Sequence, residues 1–404
     1  MTNDAGIGVG AQLVERMRPF TSTIFAEITA EAVRNDAVNL GQGFPDTDGP
    51  ASMLEIARQA ITDGVNQYPP GPGVPDLRAA IAEHQQRFHG LTLDPDSEVL
   101  VTVGATEAIA ASILALCEPG DEVVTFEPYY DSYAAAIAMA GATRRTAVLR
   151  APEFAVDPDE LRSVFSSATR AVLLNTPHNP TGKVFTRAEL TLIAELAHEH
   201  DAVVITDEVY EHLVYDATTP HAPIAGLPGM HERVLTISSA AKTFSVTGWK
   251  IGWVHGPAQL IAAVRAVKQY LTFVGGAPFQ PAVAHALRLP QAFFADLARD
   301  LADKRALLID ALTETGLAVH PQPGSYFLLA DAAPLGSTDA ARLCRAMPEA
   351  IGVAAVPVSV FHDDNAAAPT MLRLAFCKRH EVLAEGARRL HRLPEVVEKL
   401  EGVR

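Results

Sequence analysis

Short apolar runs alternate with helical segments through the first two thirds of this 404-residue chain. The runs are rich in Val, Ile and Leu and are continuous, which is typical of strands buried on both faces of a sheet. Helices between such strands cover the two faces of a mostly parallel sheet. The sequence therefore predicts an α/β fold with a three-layer α/β/α domain, whose strands lie at residues 98–103, 122–126, 143–149, 171–175, 202–206 and 234–237.

The last third of the chain mixes strands and helices without this regular alternation, which predicts a smaller α+β domain. One long helix at residues 292–316 leads into it. Shorter elements follow, with strands near 326–330, 353–356 and 372–376 and helices near 338–347 and 380–393. We expect three parts: an N-terminal arm that belongs to the small domain (1–48), a large domain (49–290) and the small domain (291–404).

The charge and cysteine content exclude several classes of protein. The net charge is −16, and no long basic or acidic run is present, so nucleic acid and anionic membranes are not expected partners. The three cysteines are far apart in apolar sequence, which predicts neither a disulfide framework nor a metal site. No signal-peptide pattern and no run of about 20 apolar residues is found. We expect a cytoplasmic protein.

Polar side chains follow the predicted strands directly. The carboxyl ends of parallel strands meet at one edge of a sheet, and ligands bind beyond that edge. We therefore expect one site to gather the hydroxyls, amide, carboxylate and amine of Thr106, Tyr130, Asn179, Asp207, Tyr210 and Lys242.

Two stretches carry specific chemistry. Residues 238–253 follow a predicted buried strand, and Lys242 there has no carboxylate neighbour in sequence, as expected for the desolvated amine that a Schiff base requires. Residues Gly104, Ala105 and Thr106 lie between a strand and an Ala/Leu-rich helix, where free N–H groups and the helix dipole bind phosphate. An N-cap role for Thr106 is the alternative.

Three motifs follow one another in a fixed order: Asn-Pro-x-Gly from Asn179, Asp-x-x-Tyr from Asp207, and Ser-x-x-Lys from Ser239 with Gly-Trp-Lys-x-Gly after it. In this combination the chain resembles the class I and II aminotransferases, the fold-type-I enzymes that use pyridoxal 5′-phosphate. The resemblance covers residues 39–389. It implies an enzyme with this cofactor and with amino acids and 2-oxo acids as substrates.

The resemblance also implies roles at the cofactor. Lys242 would bind the cofactor covalently and then move a proton at the substrate, with Asp207 paired to the pyridine nitrogen. Asn179 and Tyr210 would contact the ring oxygen. Tyr130 would stack on the ring, with a plain core aromatic as the alternative. The phosphate would be bound by Gly104, Ala105, Thr106, Ser239 and Lys250, the last replacing an arginine that many relatives carry.

At the substrate, the resemblance assigns the α-carboxylate to Arg373, an arginine inside an apolar strand, together with Asn179. A buried structural ion pair of Arg373 is the alternative. Gly43 would lie beside the substrate. Tyr68 matches a tyrosine that reaches the phosphate of a neighbouring subunit, which implies a homodimer with shared sites.

Within the family, residues 39–45, 66–73 and 270–280 are most similar to bacterial N-succinyldiaminopimelate aminotransferases of lysine biosynthesis, while kynurenine, glutamine and methionine transaminases share much of the core. We expect a ping-pong reaction with 2-oxoglutarate. A carbon–sulfur β-lyase and a non-catalytic cofactor-binding module are the alternatives. No motif identifies a cation for a distal carboxylate, and the unranked candidates are Arg16, Arg18 and Lys268.

Overall fold

The structure is a computed structural model that describes residues 13–20, 24–216, 218–364 and 366–402, so the first twelve residues of the predicted arm lie outside it. Its helices are α1 (Ile24–Arg34), α2 (Ala51–Thr62), α3 (Pro75–His89), α4 (Gly104–Leu116), α5 (Asp131–Ala140), α6 (Pro158–Ser163), α7 (Arg187–Glu199), α8 (Ala240–Thr243), α9 (Ala258–Leu271), α10 (Gln280–Leu287), α11 (Gln291–Glu314), α12 (Ala340–Ile351), α13 (His380–Leu390) and α14 (Leu393–Glu401).

The strands are short and most lie within one or two residues of the predicted ranges. They are β1 (Val38–Asn39), β2 (Val99–Val103), β3 (Glu122–Glu127), β4 (Thr143–Val148), β5 (Thr169–Asn175), β6 (Val203–Asp207), β7 (Val234–Ser239), β8 (Ile251–His255), β9 (Ala318–His320), β10 (Phe327–Asp331), β11 (Val353–Ala354), β12 (Val356–Pro357) and β13 (Met371–Ala375).

The central sheet confirms the predicted three-layer α/β/α architecture. Its seven strands have the order β2-β8-β7-β6-β5-β3-β4, and β3 to β7 run parallel to one another. Side chains alternate between its faces. Val172 and Leu174 pack with Ile193 of α7 on one face, whereas Leu173 packs with Ile109 of α4 on the other. Burial on both faces explains why the strands are continuous apolar runs.

Strand β8 is one of several elements that the sequence did not reveal; helix α1, strand β9 and helix α14 are others. The sequence predicts no strand at Ile251–His255, yet this segment pairs antiparallel with both β2 and β7. Gly252 obscures the strand pattern because glycine is disfavoured in strands. The glycine is required by packing, since a Cβ there would lie 2.5 Å from the carbonyl carbon of Gly104.

The rest of the chain forms the predicted α+β part. Strands β12-β13-β10-β9 make a four-stranded antiparallel sheet, and β1 pairs parallel with β11. One hydrophobic core joins Ile28 of α1, Leu308 of α11 and Leu343 of α12. Ile28 of the N-terminal segment thus packs with the C-terminal third. The domain boundaries at 48 and 290 stay a prediction.

Two further observations concern the whole chain. Cys117, Cys344 and Cys377 are buried free thiols. Within the described ranges, no helix combines the length and the apolar character needed to cross a membrane.

His178, in the loop after β5, makes stability depend on pH. Its Nδ1 lies 2.8 Å from Thr181 Oγ1, and burial lowers its pKa to about 3. The unfolded chain takes up a proton below about pH 6.5, whereas the folded chain keeps this ring neutral. The stability from this group is therefore complete above that pH and is lost as the pH falls towards 3.

We expect His178→Gln to flatten this dependence. The difference in urea-unfolding free energy between pH 7 and pH 5 should be about 2 kcal/mol smaller than in the wild type. His198→Gln, which removes an exposed histidine, is the control and should keep the wild-type difference. An unchanged pH dependence in His178→Gln would contradict the assignment.

Candidate active site

A cavity of about 490 Å³ opens where the carboxyl ends of the central strands face β10 and β13. It brings together every predicted site residue except Tyr68. These residues come from separate loops, as the parallel topology requires. They are Gly43, Gly104, Ala105, Thr106, Tyr130, Asn179, Asp207, Tyr210, Ser239, Lys242, Lys250 and Arg373.

One end of the cavity is the start of α4. Gly104 has φ +75°, and Lys250 Nζ lies 3.0 Å from the point that a Cβ on Gly104 would occupy. Thr106 is the third residue of the helix, whose N-cap is Val103, so the N-cap alternative for Thr106 is wrong. Glu107 instead accepts from Val103 N at 2.6 Å. Helix amides beside an ammonium group suit an anion such as phosphate.

Asp207, at the end of β6, is buried among neutral partners. Tyr133 donates its hydroxyl hydrogen to Oδ2 at 2.7 Å, and the amide of Val209 donates to Oδ1 at 3.3 Å. Burial raises the pKa of Asp207 to about 6 because the charged carboxylate is desolvated. A cation in contact with it would restore the charged form.

Two residues that sequence reasoning missed hold this region in place. Asn175 donates from Nδ2 to the carbonyl of Asp207 at 2.8 Å, and its Oδ1 accepts from the amide of Asn179 at 2.6 Å. Tyr133, the partner of Asp207, is likewise absent from the predicted set. Neither was recognisable, because Asn175 ends an apolar strand and Tyr133 lies on a helix rich in alanine.

Lys242 lies in α8, one turn beyond β7. Its Nζ is 3.4 Å from the carbonyl oxygen of Gly43 and 5.8 and 5.7 Å from the ring centroids of Tyr210 and Tyr326. Burial lowers the pKa of this lysine. The neutral, nucleophilic amine is therefore favoured relative to an exposed lysine.

Arg373 on β13 is a buried guanidinium without a carboxylate partner among the described residues. Its two Nη atoms donate to Asn179 Oδ1 at 3.0 Å and to the carbonyl of Gly41 at 2.8 Å, and Nε has no partner. The ring centroid of Phe327 lies 4.1 Å away. Burial lowers its pKa to about 10. The structural ion-pair alternative is thus wrong for the described part of the chain, and the guanidinium is available to an anion.

Tyr68 lies elsewhere, on a loop outside the cavity. Tyr68 is 81% exposed, and its ring centroid is 5.4 Å from that of Phe273.

The three residues considered as cations for a distal carboxylate of the substrate also lie outside the cavity. Lys268 is buried and bonds to the carbonyls of Gly71 and Phe273, and neither Arg16 nor Arg18 lines the cavity.

Aromatic side chains form another part of the wall that the sequence did not assign. Phe25, Phe44 and Phe327 line the cavity together with Gln42. They come from the N-terminal segment and from β10, far apart in sequence. Only Phe44 carried a usable signal, since it follows Gly43 directly.

Comparison with known proteins gives a consistent result. The family model described as aminotransferase class I and II matches residues 35–390. The chain is 55% identical over 393 residues, 95% of its length and 98% of the relative's, to the probable N-succinyldiaminopimelate aminotransferase DapC of Mycobacterium tuberculosis. It is 41% identical to the methionine aminotransferase of Escherichia coli, with 92% of this chain and 96% of that relative covered.

Solved structures agree with these similarities. The N-succinyldiaminopimelate aminotransferase from Mycobacterium tuberculosis superposes with a TM-score of 0.92 at 56% identity, covering 95% of this chain and all of that one (100%). A methionine aminotransferase from Escherichia coli gives 0.91 at 40% identity, with coverage of 95% and 100%. Both the sequence and the three-dimensional similarity extend over nearly the whole chain. The chain therefore belongs to the class I and II aminotransferases, a family of enzymes that use pyridoxal phosphate.

Proposed function

We propose that this enzyme transfers the amino group between N-succinyldiaminopimelate and 2-oxoglutarate, using pyridoxal phosphate. The observation that carries the reaction type is the unpaired guanidinium of Arg373 in the same cavity as Lys242 and Asp207. The substrate is supported by the 55% identity, over 95% of this chain, to a relative with that name.

The cavity residues fit the cofactor on three counts. Asp207 is a buried carboxyl that lacks a cation, and a protonated pyridine nitrogen would supply one. The start of α4 and Lys250 provide N–H groups and positive charge for the phosphate. Lys242 offers an amine of lowered pKa for covalent attachment. When bound, pyridoxal phosphate supplies an electron-withdrawing ring that accepts the negative charge left by removal of the substrate Cα proton.

The cavity residues would then divide the reaction among them. Lys242 holds the cofactor covalently and, as a free amine, moves the proton at the substrate Cα. Asp207 keeps the ring nitrogen protonated, and Tyr133 orients this carboxylate through its hydrogen bond. Arg373 binds the α-carboxylate, and Asn179 fixes the orientation of the guanidinium from the side.

A second candidate donor class is supported by the cavity wall. Of the described residues that line the cavity, only Lys242, Lys250 and Arg373 carry positive charge, and each already has a task in the proposal. The aromatic wall of Phe25, Phe44 and Phe327 suits an uncharged side chain. Donors of the methionine or kynurenine type are therefore the alternative to a substrate with distal carboxylates.

A homodimer completes the site in this proposal. Tyr68 and Phe273 are exposed aromatic residues, at 81% and 50%, and their ring centroids lie 5.4 Å apart. An exposed aromatic pair of this kind favours a protein interface. In the dimer, Tyr68 reaches the phosphate in the neighbouring subunit.

A donor panel tests the reaction and its substrate. Purified enzyme should show visible cofactor absorbance, lose it on addition of a good donor and regain it with 2-oxoglutarate. N-succinyldiaminopimelate should have the highest kcat/KM when compared with methionine, kynurenine and glutamine.

Lys242→Ala should abolish transamination, because the amine that holds the cofactor and moves the proton is removed. Turnover at the wild-type rate in Lys242→Ala would contradict the proposal, and pyruvate formed from cystathionine without an oxo acid would favour the β-lyase.

Arg373→Gln separates function from stability. Loss of the guanidinium should reduce kcat/KM by about 100-fold, because a buried charge partner of the substrate is removed. The unfolding midpoint should stay the same or rise, since a buried cation without a carboxylate partner is costly. Arg305→Gln, which removes a half-buried arginine outside the cavity, is the control and should retain full activity. A large loss of stability with normal activity in Arg373→Gln would assign a structural role instead.

Hybrid dimers test the shared site. We expect inactive Lys242→Ala and impaired Tyr68→Ala subunits to recover activity when they are unfolded together and refolded. Random assembly gives hybrids in half of the dimers with one complete site each, so activity should reach about a quarter of the wild-type value. Activity equal to the mean of the two separate variants, or a monomer by sedimentation, would exclude the shared site.

A further inference from the structure

A short segment of the N-terminal part, residues 41–46, covers one side of the cavity, and we refer to it as the strap. Bonds from the C-terminal third fix four of its residues. Arg373 donates to Gly41 O at 2.8 Å, and Tyr326 OH donates to Gly43 O. Two further bonds come from the residues after β13: Lys378 Nζ donates to Phe44 O at 2.6 Å, and the Arg379 amide donates to Asp46 Oδ1 at 2.6 Å.

Among the residues that bond to the strap, Lys378 is unusual because it is a buried lysine. Its side chain is 4% exposed, burial lowers its pKa, and no described carboxylate forms an ion pair with it. A buried ammonium group without such a partner is costly unless its donors are satisfied. Among the described residues, its hydrogen bond and its cation–π contact both involve Phe44: the carbonyl oxygen, and the ring, whose centroid lies 4.2 Å from Nζ. The carboxylate of Asp46, also in the strap, attracts it without forming an ion pair.

Phe44, in contrast to the buried Lys378, is exposed. It lines the cavity, yet the residue is 43% exposed, so a large part of its apolar surface is left open to the cavity and the solvent. An exposed aromatic side chain at the rim of a cavity is typical of a binding surface, and here the buried ammonium group of Lys378 fixes its position. The cation–π contact and the hydrogen bond fix both the ring and the backbone of this residue.

The neighbouring position limits where the strap can lie. A Cβ on Gly43 would come within 2.4 Å of Phe327 Cζ, so the strap runs against the aromatic wall without space for a side chain. The carbonyl of Gly43 also faces Lys242 Nζ at 3.4 Å. Small displacements of the strap would therefore change the space beside the reacting amine.

We propose that Lys378 is a positioning residue that holds Phe44 as the wall against the side chain of the amino-acid substrate. This inference rests on the proposed function, because it assigns the substrate side chain to the part of the cavity beside the strap. Lys378 follows Arg373 by five residues. One strand and the residues after it thus fix both the α-carboxylate and the wall for the side chain.

The test is the half-reaction of cofactor-loaded enzyme with a single donor, followed by the loss of visible absorbance. Lys378→Met keeps the aliphatic stem and removes the ammonium group. It should raise the apparent dissociation constant for methionine by about 10-fold, the loss expected for one hydrogen bond plus one cation–π contact. For alanine, which has no side chain beyond Cβ, the increase should be below about 2-fold, and the limiting rate should stay within about 3-fold for both donors.

Matched variants separate positioning from simple structural damage. Lys378→Arg should restore most of the methionine affinity, since the cation and donor are retained. Phe44→Ala should reproduce the methionine effect, and the double variant should be no weaker than Phe44→Ala alone, because without the ring Lys378 has no wall left to position. Lys304→Met removes a different buried lysine, which pairs with Asp300 on α11, and should leave both donors unaffected.

Three results would overturn the inference. They are equal losses for alanine and methionine in Lys378→Met, additive losses in the double variant, and a comparable loss in Lys304→Met. Phe44→Ala keeps the test decisive if Lys378→Met does not fold, since Phe44 is exposed and its removal leaves the core intact. A wild-type enzyme that converts no donor would overturn the proposed function itself, whereas an active wild type with an unchanged Phe44→Ala overturns only the positioning role.

Discussion

Desolvation of charge at the carboxyl edge of the central sheet is the constraint on which the cavity depends. Asp207, Lys242 and Arg373 all lie there, and burial shifts the pKa of each towards the neutral form. None of them forms an ion pair with another described side chain. The charged forms of Asp207 and Arg373 are unfavourable unless ligands of opposite charge compensate them, whereas Lys242 is favoured as the neutral amine. The cavity therefore suits ligands that supply these opposite charges.

The two ends of the cavity derive from different parts of the chain. The start of α4 and Lys250 belong to the central sheet and its loops, where Gly252 packs against Gly104. Arg373 and the strap belong to the antiparallel sheet and the N-terminal segment. The two ends are nevertheless in contact, since Tyr210 and Ala105 pack with the core of the antiparallel sheet.

Local signals explain which parts of the fold could be predicted. Both bounds of helix α3 can be read from local sequence, because Pro75 begins it and Gly90 ends it in the left-handed conformation. Strand β8 was missed because Gly252 is dictated by contact with Gly104, a neighbour far away in sequence. The site residues that follow strands were gathered as expected, since the parallel topology alone brings them together. Tyr133 and the pairing of Lys378 with Phe44 depend on contacts that no local pattern records.

The exposed ring of Phe44 has a consequence for how this family can diversify. If Lys378 positions this ring as proposed, replacement of either partner would change the donor pocket, and Phe44 itself lies outside the described hydrophobic cores. Relatives at 55% and 41% identity bear the names of different amino donors on one architecture. Because the proposed wall consists of one loop residue, Phe44, and one buried lysine, few substitutions would be needed to change the preferred amino donor.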